Sequence, residues 1–92
     1  MFIQQASSVE KDGQGFVLPV EAKGEGELLG RDKAIALTLF ARARFPKLIC
    51  RPVGIIRRGI DLFDCVEFEP TDELAKVAVI EMRRYQLVAE EA

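Results

Sequence analysis

The stretch from Gly30 to Arg44 constrains this chain more than any other. Ala34, Ile35, Ala36, Leu37, Leu39, Phe40, Ala41 and Ala43 leave only a narrow polar face at Lys33, Arg42 and Arg44. The run has no strand-like alternation and is long enough for about four helical turns. Pro46 ends it, because the proline ring disfavours a helical Phe45. A helix apolar around so much of its circumference is expected to be covered on more than one side. It should lie under a sheet, against a second subunit, or both.

The remaining apolar residues recur with strand-like spacing. Met1 to Val9 and Phe16 to Lys23 read as two strands joined by Glu10-Lys11-Asp12-Gly13-Gln14-Gly15. Asp-Gly between extended runs is a hairpin signal, since both residues tolerate the positive φ of a tight turn. Alternation puts Phe16, Leu18, Val20 and Ala22 on one face of the second strand and Val17, Pro19, Glu21 and Lys23 on the other. The first set is the expected core face. Pro19 cannot donate to a ladder, so its strand should lie at an edge or carry an irregularity there.

Beyond the glycine-rich turn Gly24-Glu25-Gly26-Glu27 and the helix, Lys47 to Arg57 reads as a strand interrupted by Pro52 and Gly54. Arg57-Arg58-Gly59 turns the chain, and Ile60 to Glu69 returns antiparallel. Pro70 to Glu73 forms a loop or one helical turn. Ala75 to Val88 is ambiguous: Leu74, Ala78, Met82 and Tyr85 fit a helical stripe, whereas Val77 and Val79 favour a strand over Val77 to Glu81.

With 92 residues, about half of them apolar, the chain can bury one core, so residues 1–92 are expected to form a single domain. The fold class expected is α/β (α+β), a mixed β-sheet of four to five strands with one long central helix.

No apolar run reaches the roughly 18 to 20 residues that a bilayer span needs. Met1 to Ser8 lacks the pattern of a secretory signal, so a cytoplasmic location is the default expectation. Cys50 and Cys65 lack metal or redox spacing and read as small apolar side chains rather than a disulfide. The chain has no histidine, which removes the commonest general base near neutral pH. Charge is segregated: Lys33, Arg42, Arg44, Lys47, Arg51, Arg57 and Arg58 precede an acidic block from Asp61 to Glu73. Such a division suits phosphate binding by the basic block or pairing of two copies through both.

The one spacing that invites chemistry is Val20-Glu21-Ala22-Lys23-Gly24. Alternation sets Glu21 and Lys23 on one face, about 6 to 7 Å apart along a strand. A carboxylate there can hold a hard divalent cation, and the ammonium can stabilise charge building on a phosphate. The same triplet also serves as a solvated strand face with a cross-strand ion pair.

The stretch Gly15-Phe16-Val17-Leu18-Pro19-Val20-Glu21-Ala22-Lys23-Gly24, the apolar helix, Phe45-Pro46 and the strand Ile49-Cys50-Arg51-Pro52-Val53-Gly54-Ile55 together resemble the restriction-endonuclease-like nucleases of the PD-(D/E)xK superfamily. The resemblance spans roughly Asp12 to Glu69. It implies a restriction-endonuclease-like core, Mg²⁺ and a DNA substrate, with Glu21 as metal ligand and Lys23 as its catalytic partner. The first helix and strand of that core are missing, and Phe2 to Val9 contains no acid where the family places an Asp. If the turn centres on Asp12-Gly13, Glu21 faces Gln4 and Lys23 faces Phe2. Glu10 then lies about 20 Å from Gln4, at about 3.3 Å per residue. The expectation is a nuclease remnant with little or no turnover.

Arg42, Arg44, Lys47, Arg51, Arg57 and Arg58 are candidates for DNA phosphate contacts. They equally suit a helix end and a hairpin tip that pair with acids of a neighbouring strand. Gly24, Gly26 and Gly30 fit neither common phosphate-loop spacing, and Glu25 and Glu27 would repel phosphate. Tyr85 reads as amphipathic packing. Two functions follow: a weakly active or inactive nuclease-like DNA-binding domain, or a non-enzymatic homodimeric interaction module that uses the apolar helix and the opposed charge blocks.

Overall fold

The computed structural model of the chain describes residues 4–11 and 14–88. The elements are β1 (Gln4–Lys11), β2 (Gln14–Lys23), α1 (Arg31–Arg44), β3 (Ile49–Cys50), β4 (Val53–Arg57), β5 (Leu62–Phe68), a 3-10 turn at Leu74–Lys76, and β6 (Val79–Gln86). The fold is α+β: a mixed sheet in the order β1-β2-β4-β5-β6, with the short β3 also paired to β2 and one helix. Among the described residues no helix is long and apolar enough to cross a membrane.

β1 and β2 pair antiparallel with Gln4 opposite Glu21, the register expected from a turn at Asp12-Gly13. Asp12 and Gly13 themselves lie outside the described residues, as do Met1 to Ile3 and the expected facing of Phe2 and Lys23. β2 and β4 run parallel, Glu21 opposite Gly54 and Lys23 opposite Ile56. A parallel neighbour requires a crossover, and α1 is that crossover.

β2 is central rather than an edge, so the irregularity demanded by Pro19 appears in its neighbour. The expected strand Lys47 to Arg57 is broken at Arg51-Pro52 into β3 and β4. Arg51 N still donates to Val17 O at 2.9 Å, and Pro52 O accepts from Phe68 N at 2.9 Å. Two prolines thus fall where neighbouring strands need the fewest amide donors.

The core face of β2 is the reverse of the one expected. Val17, Pro19 and Glu21 are buried, while Phe16, Leu18 and Val20 are half-buried and Ala22 is exposed. Both faces carry comparable apolar residues, so alternation alone could not rank them. The helix decides, because Ala41 packs with Val17 and Cys50, and Ala34 packs with Ile56, Val66 and Phe68.

α1 itself is covered less than its composition suggested. Its buried residues are Ala34, Leu37, Thr38 and Ala41, a single stripe at helical spacing. Ala36, Leu39 and Ala43 are exposed. The second covering expected for this helix is not provided within the described residues.

β6 covers the ambiguous C-terminal segment and starts two residues later than the strand expected there, extending to Gln86. Cys50 pairs with Val17 on the helix side, whereas Cys65 pairs with Ile55 on the open face, so both thiols stay free.

Leu37 is fully buried and Leu39 is 51% exposed. In urea denaturation, Leu37→Ala should lower stability by about 2 to 5 kcal/mol, as for other deeply buried leucines. Leu39→Ala should change it by no more than about 0.5 kcal/mol.

Candidate functional site

Glu21 occupies the last turn of the pleat in β2, flanked in register by Gln4 and Gly54 and placed on the face that α1 covers. Its side chain is fully buried, and that of Lys23 is 15% exposed. The two charges expected to share a face are brought together, with Lys23 Nζ 3.4 Å from Glu21 Oε1. That is an ion-pair distance rather than a hydrogen bond. Both carboxylate oxygens lack a hydrogen-bond partner among the described residues. A buried polar group left so costs on the order of 1 to 3 kcal/mol.

Gly54 explains how the covering closes beside this carboxylate. A Cβ there would run into the Leu29 side chain, so glycine lets the segment entering α1 lie directly on β4. Leu29 then joins Ala34, Ile56, Val66 and Phe68.

The turn after β2 is well fixed. Glu27 N donates to Gly24 O at 3.1 Å, and Gly26 has a φ of 82°, the positive value that a type II turn places at its third residue. Gly24 N donates to Glu27 Oε1 at 2.6 Å. This hydrogen bond, more than the nearby Lys23 charge, holds the Glu27 carboxyl below its ordinary value.

A cleft of about 300 Å³ opens at this end of the sheet, lined by Ala22, Lys23, Gly24, Ile55, Arg57 and Phe63 among others. Ala22, Ile55 and Phe63 belong to the uncovered face, opposite Glu21. Lys23, at the strand tip, therefore stands between the buried carboxylate and an open basin.

The donor set for a cation is thin. No group of three or more His, Cys, Asp or Glu residues converges among the described residues. Glu10 pairs with Gly15 at the far end of the hairpin. Glu21 thus offers one anionic ligand, whereas Mg²⁺ sheds water reluctantly and is ordinarily held with more anionic oxygen than this. The residues present fit a cation only in part, and no hydrolytic step follows from them.

The six candidate cations do not form one patch. Arg42, Arg44 and Lys47 lie where α1 ends and β3 begins, whereas Arg57 ends β4 and Arg58 follows it, at the opposite end of the parallel strands. Arg44 stacks over Phe40, 5.3 Å from its ring centre. Arg51 is held by Glu69 at 3.3 Å and Glu67 at 4.0 Å, and Arg58 by Asp64 at 2.8 Å. Only Arg57 shares the cleft with Lys23, and its Nε donates to Gly59 O at 3.0 Å.

Asp64 was missed by the sequence reading. It is buried on β5 and gripped by Arg84 Nε at 2.8 Å, Arg84 Nη2 at 3.1 Å and Arg58 Nε at 2.8 Å. The Arg84 hydrogen bonds, then that of Arg58, hold its carboxyl well below the usual carboxylate range. The available signal was an acid on the Val66 and Phe68 side of β5, across a hairpin from an arginine. The clamp ties β6 and the β4–β5 turn to the sheet.

Two predictions follow. A carboxyl with a lowered folded pKa adds stability that is complete above the ordinary value of about 3.9 and fades as pH falls towards the folded value. Acid denaturation should therefore be less steep in Asp64→Asn than in the parent, with the variant already weaker at pH 7. Replacing both members of the buried pair, Glu21→Leu with Lys23→Met, removes an ion pair whose carboxylate has no hydrogen-bond partner among the described residues and should leave stability at pH 7 unchanged or raise it by about 1 to 2 kcal/mol in urea denaturation. A loss instead would mean that the pair holds the fold together.

No protein-family model, curated protein or solved structure matches the chain.

Proposed function

We propose that the chain is a nuclease-like DNA-binding domain with a partial magnesium-dependent phosphodiesterase site and little or no turnover of its own. Glu21 is its cation ligand and Lys23 the adjacent electrostatic partner. The observation that carries this reading is a fully buried carboxylate, both oxygens without a hydrogen bond among the described residues, 3.4 Å from an ammonium at a strand tip. A buried polar group without a hydrogen bond is uncommon in a native fold, and a bound ion is one of the things that accounts for it. A bound divalent cation would supply charge stabilisation for a phosphate at this carboxylate. The chain's own part is to hold Glu21 dry and rigid between β1 and β4 and to keep Lys23 at the cleft. Arg57 is the cation best placed to meet a phosphate there, while Arg42, Arg44 and Lys47 would contact a duplex further along.

A second reading, a homodimeric interaction module without enzymatic activity, is favoured by the apolar surface left uncovered. Phe16, Leu18, Val20, Val53, Ile55 and Phe63 are only half-buried on the open face, and Leu39 is exposed on α1.

Calorimetric titration with Mg²⁺ and Mn²⁺, beside plasmid nicking and duplex binding, separates the two. The nuclease-like reading expects weak cation binding that Glu21→Ala abolishes, nicking at or near background, and duplex binding that Arg57→Glu weakens. That binding should fall steeply between about 50 and 200 mM salt, as counterion release demands. Absence of both cation and duplex binding in the parent would remove this reading.

A further inference from the structure

β6 lies at the edge of the sheet, and among the described residues no strand pairs with its outer side. All of its residues are exposed, including Ile80, Met82 and Tyr85. Leu87 N donates to Asp61 O at 2.7 Å. Residues of an antiparallel ladder alternate between bonding inward and outward. Tyr85, Arg83 and Glu81 therefore bond to β5, while Arg84, Met82 and Ile80 turn their N–H and C=O groups outward. Asp64 holds Arg84, which fastens the middle of this edge strand to β5.

We infer that β6 is where two copies of this chain join, as antiparallel strands related by a two-fold axis at Met82. The inference specifies the partner surface of the homodimeric reading and rests on that reading, not on the nuclease-like one. A two-fold axis perpendicular to the sheet keeps each face continuous, so opposed residues must come from the same face of the strand. The ladder must then be centred on a single residue.

Charge selects the centre. A ladder centred on Glu81 opposes two carboxylates, and one centred on Arg83 or Arg84 opposes two guanidinium groups, which is destabilising. Centring on Ile80 carries the ladder into the irregularity of β6 opposite Glu67 and Phe68. The Met82 centre alone opposes Glu81 to the partner's Arg83 twice. These are non-hydrogen-bonded pairs, in which side chains approach most closely. Within one copy Arg83 Nε is already 2.8 Å from Glu81 Oε1, so the four charges alternate in sign around the axis.

The other face is mostly apolar at the same point. Met82 lines a groove of about 340 Å³ with Leu29, Val66, Phe68 and Val79, and with the charged Glu27 and Arg58. The second Met82 extends this apolar surface across the junction, and Ile80 lies opposite the partner's Arg84.

Sedimentation equilibrium of the full chain tests the pairing. The parent should dimerise in the micromolar range, and Arg83→Glu should weaken the dimer about tenfold by turning two attractive pairs repulsive. The swap Glu81→Arg/Arg83→Glu should restore it to within about threefold. Under mild oxidation Met82→Cys should cross-link beyond the background of the parent's own cysteines, since Cα atoms of a hydrogen-bonded pair lie about 5.5 Å apart. Ile80→Cys should not, because those positions are about 13 Å apart at about 3.3 Å per residue. A dimer that is indifferent to Arg83→Glu and gives no Met82→Cys cross-link overturns this pairing and leaves the homodimeric reading standing. A parent that stays monomeric at several hundred micromolar overturns both.

Discussion

The parallel pairing of β2 with β4 is the constraint on which the rest of this structure depends. Parallel neighbours cannot be joined by a tight turn, so the chain must cross one face of the sheet, and α1 is the segment that does so. One helix covers one face and only part of its width. The residues that fall beneath it are Val17, Pro19 and Glu21 on β2 and Gly54 and Ile56 on β4. Among the described residues nothing packs on the opposite face, whose apolar side chains are half-buried, and all of β6 is exposed.

Two carboxylates end up on the covered side, and the contrast between them carries the functional argument. Asp64 is met by three guanidinium hydrogen bonds from two arginines and works as a fastening between β4, β5 and β6. Glu21 is buried at least as deeply but, among the described residues, receives only the 3.4 Å approach of Lys23. Buried charges in a settled core are normally paired and hydrogen-bonded. The first carboxylate obeys that rule through its neighbours in the fold, and the second departs from it in a way that a ligand would repair. Local conflict of this kind is where sequences depart from the best choice for folding alone.

Much of the architecture was legible because it follows from short-range rules. The helix ends where Pro46 requires it, the β1–β2 register is the one the Asp-Gly signal in the sequence implies, and Leu62 to Phe68 returns antiparallel to β4. The sidedness of the sheet was not legible. Phe16, Leu18 and Val20 look as core-like as Val17 and Pro19, and only the path of the crossover chooses between them. The helix was over-read for a related reason: alanines tolerate solvent and burial equally well, so Ala36 and Ala43 do not demand a cover. At the site, the common face of Glu21 and Lys23 was readable from alternation, whereas the burial of Glu21 and the clamp on Asp64 depend on residues that meet only in the folded sheet.

The proposed function requires that Glu21, buried and without a hydrogen bond among the described residues, meet a cation. Paramagnetic broadening of side-chain carboxyl resonances by substoichiometric Mn²⁺ tests it most directly, because each carboxylate reports separately. The account predicts that the Glu21 signal broadens before those of Glu67, Glu69 and Glu73, with Lys23 following. Uniform broadening of the exposed acids with Glu21 unaffected would contradict it.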